Sequence, residues 1–236
     1  MTAISFSVCP VQGLRVEVSG AWTALLPSGA AYIEAERTLI CADLHLEKGS
    51  AYASRGQMLP PYDTRETLAR LAADLARTDA RQVVFLGDTL HDGKAHGRIA
   101  ASDAAALSGL ARGRTLIWIV GNHDPEGPGG LPGEAVDELA LGPLILRHEP
   151  QPGSQPGEMA GHLHPCARIV AQARSVRRRC FVTDGQRMVL PAYGAYAGGL
   201  SVRHEAFAGL FRAQPLVGAI GRSRVHAVKF SAVSSD

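Results

Sequence analysis

The chain reads as an α/β protein. Two observations carry that reading. Hydrophobic residues make up 46% of the 236 and charged residues 19%, a globular composition. Through the first half, short apolar runs of strand type alternate with segments of helical period, as in βαβ units.

The elements follow in order. Leu14 to Val18, Trp22 to Leu26 and Ala30 to Ile33 are short strands, punctuated by Gly20 and by Pro27-Ser28-Gly29. Thr38 to Ala42 is a compact apolar run, expected to be a buried strand that delivers Asp43 at its end. Gly49 to Asp63 carries glycine, a Pro-Pro pair and two tyrosines without a period, so a loop is expected there. Asp63 and Glu66 stand at capping-box spacing ahead of a helix whose apolar positions are Leu68, Leu71, Ala72, Leu75 and Ala76. Gln82 to Leu86 and Thr115 to Val120 are further buried strands, separated by a weaker helix over Ala100 to Ala111. Beyond Leu139 the chain turns strand-rich: Gly142 to Arg147, Ala167 to Ala171, Arg179 to Thr183, Arg187 to Leu190, Leu216 to Ile220 and Val225 to Phe230. One helix over His204 to Arg212 is expected among them, and Pro150 to Gly157 reads as an exposed loop. No repeat and no strong linker divides the chain, so residues 1–236 are expected to form one domain.

Bulk properties bound the function. The formal charge of +2 neither demands nor excludes a polyanionic partner. No apolar run is long enough to span a bilayer, and Met1 to Gly13 lacks the pattern of a signal peptide. Cys9, Cys41, Cys166 and Cys180 are scattered without metal-site or disulfide spacing, which favours a reduced, cytoplasmic setting.

Chemistry-bearing residues gather just after the apolar runs, where open α/β sheets build their sites. They are Asp43-Leu44-His45, Gly87-Asp88, Gly121-Asn122-His123-Asp124, Arg147-His148-Glu149 and Gly161-His162-Leu163-His164. Each alone is ordinary: Asp-x-His is commonly a capped turn, and Gly-Asp a bare turn. Together they are not, since six of the nine histidines fall in or beside these motifs. Mixed carboxylate and imidazole donors suit Mn, Fe or Zn rather than the all-oxygen sites of Mg or Ca. Two such ions roughly 3.5–4 Å apart can clamp a phosphoryl group and generate a hydroxide between them. One carboxylate must then bridge the pair, and Asp88, on a glycine turn, is the candidate.

The order D-x-H, G-D, G-N-H-D, H, G-H-x-H resembles the calcineurin-like metallophosphoesterase superfamily over about Thr38 to Pro165. The resemblance implies a four-layer α/β/β/α sandwich, two mixed β-sheets flanked by helices. It also implies two divalent ions. One would take Asp43, His45, His164 and the bridging Asp88; the other would take Asp88, Asn122, His148 and His162. His123 would stabilise the transition state or protonate the leaving group, with Asp124 orienting its imidazole. The stretches LICADLHLEKGSAYASRG, LPPYDTRETLARL, VVFLGDTLHD and GNHDP are similar to the bacterial ligase-associated DNA damage response endonucleases. That narrower resemblance implies a Mn-dependent nuclease with DNA as substrate and a DNA ligase and a helicase as partners. Gly87 to His91 is also similar to the nuclease subunit of the double-strand-break repair complex, which implies that His91 assists His123.

Three function classes remain open: a nuclease, a small-nucleotide phosphodiesterase or pyrophosphatase, and a non-catalytic protein-binding scaffold. The complete ligand set argues against the third. Arg174, Arg177, Arg178 and Arg179 form the densest basic cluster, suited to phosphates or to a solvated edge strand. Tyr52, Arg55, Met58 and Tyr62 lie where a lid or a base-stacking platform would sit, and Lys48 and Arg55 could reach a phosphate.

Overall fold

A computed structural model describes residues 4–8, 13–171 and 174–235. Its first sheet takes eight strands in chain order. They are β1 (Phe6–Val8), β2 (Leu14–Val18), β3 (Ala21–Leu25), β4 (Ala31–Ile33), β5 (Thr38–Cys41), β6 (Gln82–Leu86), β7 (Thr115–Ile119) and β8 (Glu134–Val136). Strands β1 to β5 are antiparallel neighbours, whereas β5 to β8 run parallel. Parallel neighbours need long crossovers. Helices α1 (Lys48–Ala53) and α2 (Asp63–Arg77) bridge β5 to β6, and α3 (Ala101–Ala111) bridges β6 to β7.

The second sheet holds the later strands. These are β9 (Glu138–Leu141), β10 (Leu144–Arg147), β11 (Glu158–Ala160), β12 (Pro165–Ala171), β13 (Arg174–Thr183), β14 (Met188–Val189), β15 (Leu200–Ser201), β16 (Leu216–Ile220), β17 (Val225–Lys229) and β18 (Val233–Ser234). Strands β10 and β11 are parallel neighbours, and β12 and β13 form an antiparallel hairpin.

Period-two burial explains the layers. On β5 and β6, Leu39, Cys41, Val83 and Phe85 pack under Leu68, Leu71 and Leu75 of α2 and Leu107 of α3. Their alternates Ile40, Val84 and Leu86 face the second sheet and meet Leu144, Leu146, Met159, Phe181 and Met188. Burial on both faces is why these strands read as unbroken apolar runs. On the outer side of the second sheet, Val189 packs against Phe207 and Leu210. The two mixed sheets and the helices on the first sheet follow the expected sandwich. Among the described residues, a single 3-10 turn, Glu205–Phe207, stands where a helix over His204 to Arg212 was expected. Gly209, at φ +74°, breaks the right-handed path there.

Other expectations shift. Gly49 to Asp63 opens within α1 rather than as pure loop. Asp63 does not cap α2: Tyr62 holds that position without a side-chain bond, and the Asp63 carboxylate accepts from the Gly49 amide at 3.0 Å. Strand β13 starts at Arg174, five residues earlier than its apolar pattern shows, because that stretch is exposed and carries no alternation. The Pro150 to Gly157 loop is exposed but anchored. Buried Arg187 pairs with Glu158 and donates to the carbonyl of Gln151. Cys41, Cys166 and Cys180 are buried thiols, and Cys9 lies outside the described residues. No helix among the described residues is long and apolar enough to cross a membrane.

Candidate metal centre

Five strand ends converge. Strands β5, β6 and β7 lie side by side in parallel and release Asp43 to His45, Gly87-Asp88 and Gly121 to Asp124 at the same edge. Strands β10 and β11 do the same for His148 and for Gly161 to His164 in the second sheet. The loops after β5 and β6 stay zipped beyond the sheet: the amides of His45 and Leu46 donate to the carbonyls of Asp88 and Thr89, and the His91 amide to Leu46.

Backbone conformation aims the side chains. Asp43, His45, Glu47, Asp88, His162 and His164 all have positive φ, between 45° and 67°. A non-glycine residue in this region is uncommon and costs roughly 1–3 kcal/mol. Six in one edge mark a strained surface held by the fold around it. In Asp43-Leu44-His45 and in His162-Leu163-His164, the two outer residues are left-handed and turn into the site while the leucine between them packs away; Asp43 and His45 meet at one point, whereas His162 and His164 part to separate donor clusters.

Two donor clusters that include carboxylates result, and a third group, the imidazoles of His45, His91 and His123, gathers beside the first. In the first, the His164 Nε2 stands 3.3 Å from the Asp43 carboxylate and 3.3 Å from the His45 Nε2. In the second, the His148 Nε2 lies 2.9 Å from the Asn122 Oδ1, 3.2 Å from the His162 Nδ1 and 3.5 Å from the Asp88 Oδ1. Asp88 links them: its other oxygen is 4.0 Å from the His45 Nε2 and 3.9 Å from the His123 Nε2. Ligand-capable atoms of Asp43, His45 and His164, and those of Asp88, His148 and His162, each fall within 4.8 Å of one another.

The donor chemistry fits divalent ions. The His148 Nδ1 faces the Leu86 carbonyl at 2.9 Å, so it carries the proton and leaves a lone pair on Nε2. That lone pair points at another acceptor, the Asn122 oxygen, and at the Asp88 carboxylate. Acceptors packed against one another repel unless a cation lies among them. The carbonyl behind His148 is the outer support that fixes a ligating imidazole. Burial, then neighbouring His164, His123 and His91, push the His45 imidazole down to about 2, so it is a neutral donor. Burial opposes a proton on His164, but the adjacent Asp43 carries its pKa above the ordinary value.

The remaining residues are placed differently from one another. The His123 ring is exposed on the solvent side of Asp88 and stacks on His91, with centroids 5.4 Å apart. Asp124 does not orient it. The buried Asp124 carboxylate accepts the amides of Gly121, Asp88, Thr89 and Leu90 at 2.8–3.1 Å, and so fixes the Asp88 turn. Burial, with help from the Asp88 charge, pushes this carboxyl up to about 6 against the pull of those amides. The His123 Nδ1 instead meets the His91 carbonyl at 2.7 Å. Sequence reasoning assigned His91 a ring; its backbone matters too. Tyr52 sits 6.0 Å from the His91 ring, so α1 borders the site, whereas Met58 and Tyr62 are largely exposed.

Sequence reasoning missed the backing of the first loop. The amides of Tyr193 and Gly194 donate to the carbonyls of Ala42 and Asp43, and Leu200 to that of His164. Gly194 was the available signal, because a Cβ there would overlap the Leu44 carbonyl.

Fold and site define a metallophosphoesterase class, and the chain belongs to the calcineurin-like phosphoesterase family, whose model matches residues 36–184, more than half of its length. That family uses a dinuclear metal centre. Among solved structures, the chain is 31% identical to Pseudomonas putida nuclease MPE, with a TM-score of 0.69 over 95% of this chain and 100% of that one. Yfce, a phosphoesterase from E. coli, is 16% identical over 84% of this chain and 99% of its own, with a TM-score of 0.37. No curated protein sequence matches.

Proposed function

We propose that the chain is a dinuclear-metal phosphodiesterase, and specifically a Mn-dependent DNA endonuclease of DNA repair that works beside a DNA ligase and a helicase. One observation carries the hydrolase reading: Asp88 stands between two donor clusters that each converge on one point. The likeness to a nuclease over almost the whole chain supports DNA as substrate. The ligase, the helicase and manganese rest on the sequence resemblance, and treatment of residues 1–236 as one domain rests on the interlocked sheets.

Asp43, His45, His164 and Asp88 would hold one ion, and Asp88, Asn122, His148 and His162 the other. When bound, such a pair supplies the nucleophile at neutral pH and neutralises charge on the phosphoryl oxygens. The chain's own residues do the rest. Asp88 holds the two clusters in register. Asp124 clamps the turn that carries Asp88. His123, exposed beside Asp88, would contact the scissile phosphate and protonate the leaving oxygen; the contact of its Nδ1 with the His91 carbonyl, which fixes the ring, supports that role.

The test is Mn-dependent nicking of supercoiled plasmid, with Asp88→Asn as control. Nicking by wild type and none by the variant is expected. Cleavage of a chromogenic phosphodiester without nicking would move the substrate to small nucleotides.

A further inference from the structure

The second sheet ends in a feature that the metal centre does not use. Immediately after His164, β12 and β13 form a hairpin that runs away from the site in register from Cys166↔Arg179 to Ala171↔Arg174. Between Met159 and Thr183 the sequence holds five arginines and no carboxylate. Arg168, Arg174, Arg177 and Arg178 are exposed, whereas half-buried Arg179 is spent on the carbonyls of Ala192 and Tyr193. Pairing puts Arg168 and Arg177 on one face of the hairpin and Arg174 and Arg178 on the other. Among the described residues no carboxylate pairs with Arg168, Arg174 or Arg178; Arg168 reaches only the hydroxyl of Ser175. Arg178 lies opposite Ala167, three residues from His164, which is about 10 Å along a strand.

The opposite flank has the other sign. Next to Asn122 and His148 opens a cavity of about 600 Å³ lined by Asp137, Glu138 and Glu149, with its Arg147 already paired to Glu138. Charge therefore runs across the metal centre from acidic to basic, although the whole chain carries only +2. A polyanion lying over the metals is repelled on the Asn122 side and attracted on the His164 side.

We infer that the β12–β13 hairpin is a phosphate-backbone track, on which a nucleic acid held at the metal centre extends past His164 and away from the acidic cleft. This rests on the nuclease reading above and adds the direction and the residues. The contacts are to phosphates and independent of sequence, because guanidinium groups alternating with valine and serine offer no pattern matched to base edges.

The test uses metal-loaded protein and fluorescently labelled DNA with phosphorothioate linkages to slow cleavage, titrated between about 50 and 200 mM salt. The triple variant Arg168→Gln, Arg174→Gln, Arg178→Gln lies outside the metal centre. It is expected to bind DNA about 10- to 100-fold more weakly, and to lose about 0.7–0.9 of salt slope for each phosphate contact removed. Its turnover of a chromogenic phosphodiester should match wild type, which also reports that it folds. Unchanged affinity and slope would overturn the inference. So would a variant that merely self-associates in sedimentation, since the arginines would then only guard an exposed strand edge. Plasmid nicking by wild type and variant alike would remove this inference and leave the nuclease reading. Wild type that neither binds nor nicks DNA, yet cleaves the chromogenic diester, would remove both.

Discussion

At the scale of single residues, the centre separates groups that hold charge from groups that aim it. His123 belongs to neither donor cluster by its closest contacts: its ring is exposed, and its Nδ1 is taken by a carbonyl. His123→Ala should therefore lower kcat about 10²- to 10⁴-fold, the usual worth of a placed acid or base, while metal content stays at wild-type level. Rate on a chromogenic phosphodiester, read beside atomic emission of the purified protein, checks both halves. Loss of metal would make His123 a ligand. Asp124 shows what a motif conceals. The sequence places a carboxylate one residue from His123, and orienting the ring is the natural reading. The fold instead turns that carboxylate inward to four backbone amides. Those donors carry no residue identity, so they leave no trace in the sequence. The histidines and aspartates of the two clusters were legible for the opposite reason: their chemistry lies in the side chain.

At the scale of elements, glycine makes the convergence possible. A Cβ on Gly121 would press into the backbone nitrogen and carboxylate of Asp88 and crowd Asp124. Its φ is not left-handed, so the obstacle is space alone. Gly121→Ala should displace the Asp88 turn, cut metal occupancy and slow turnover at least tenfold, with the far-UV circular dichroism unchanged. Wild-type occupancy would show that the loop yields. Strands buried on both faces were readable from the sequence: Gln82–Leu86 and Leu216–Ile220 have the expected bounds. Strand β14 was found within the expected Arg187 to Leu190, but other strands of two or three residues, such as β11 and β15, were missed because so few residues display no period. Helix α1 was hidden by its glycine and serine, and it is held by tertiary bonds: the Ser50 hydroxyl meets the Glu47 carboxylate at 2.6 Å, which Thr64 of α2 also reaches at 2.9 Å.

At the scale of the molecule, the ligands divide between the sheets. Asp43, His45, Asp88 and Asn122 follow strands of the first; His148, His162 and His164 follow strands of the second. Bound ions would pin one sheet to the other at their shared edge. Chelation should accordingly lower Tm in calorimetry. Ions held at a hundredfold their Kd contribute about 2.7 kcal/mol per site, and Asp88→Asn should show a smaller response to the chelator. An unchanged Tm in wild type would mean that the sandwich core alone joins the sheets. The bonds from Tyr193, Gly194 and Leu200 onto the loops of Asp43 and His164 carry one more consequence, for synthesis of the chain. On the ribosome, the Asp43 loop emerges early, yet its backing arrives roughly 150 residues later. A nascent chain that has passed His164 but not yet Leu200 has every ligand and no finished support for them. Completion of the metal-binding loops thus waits until translation has passed that point.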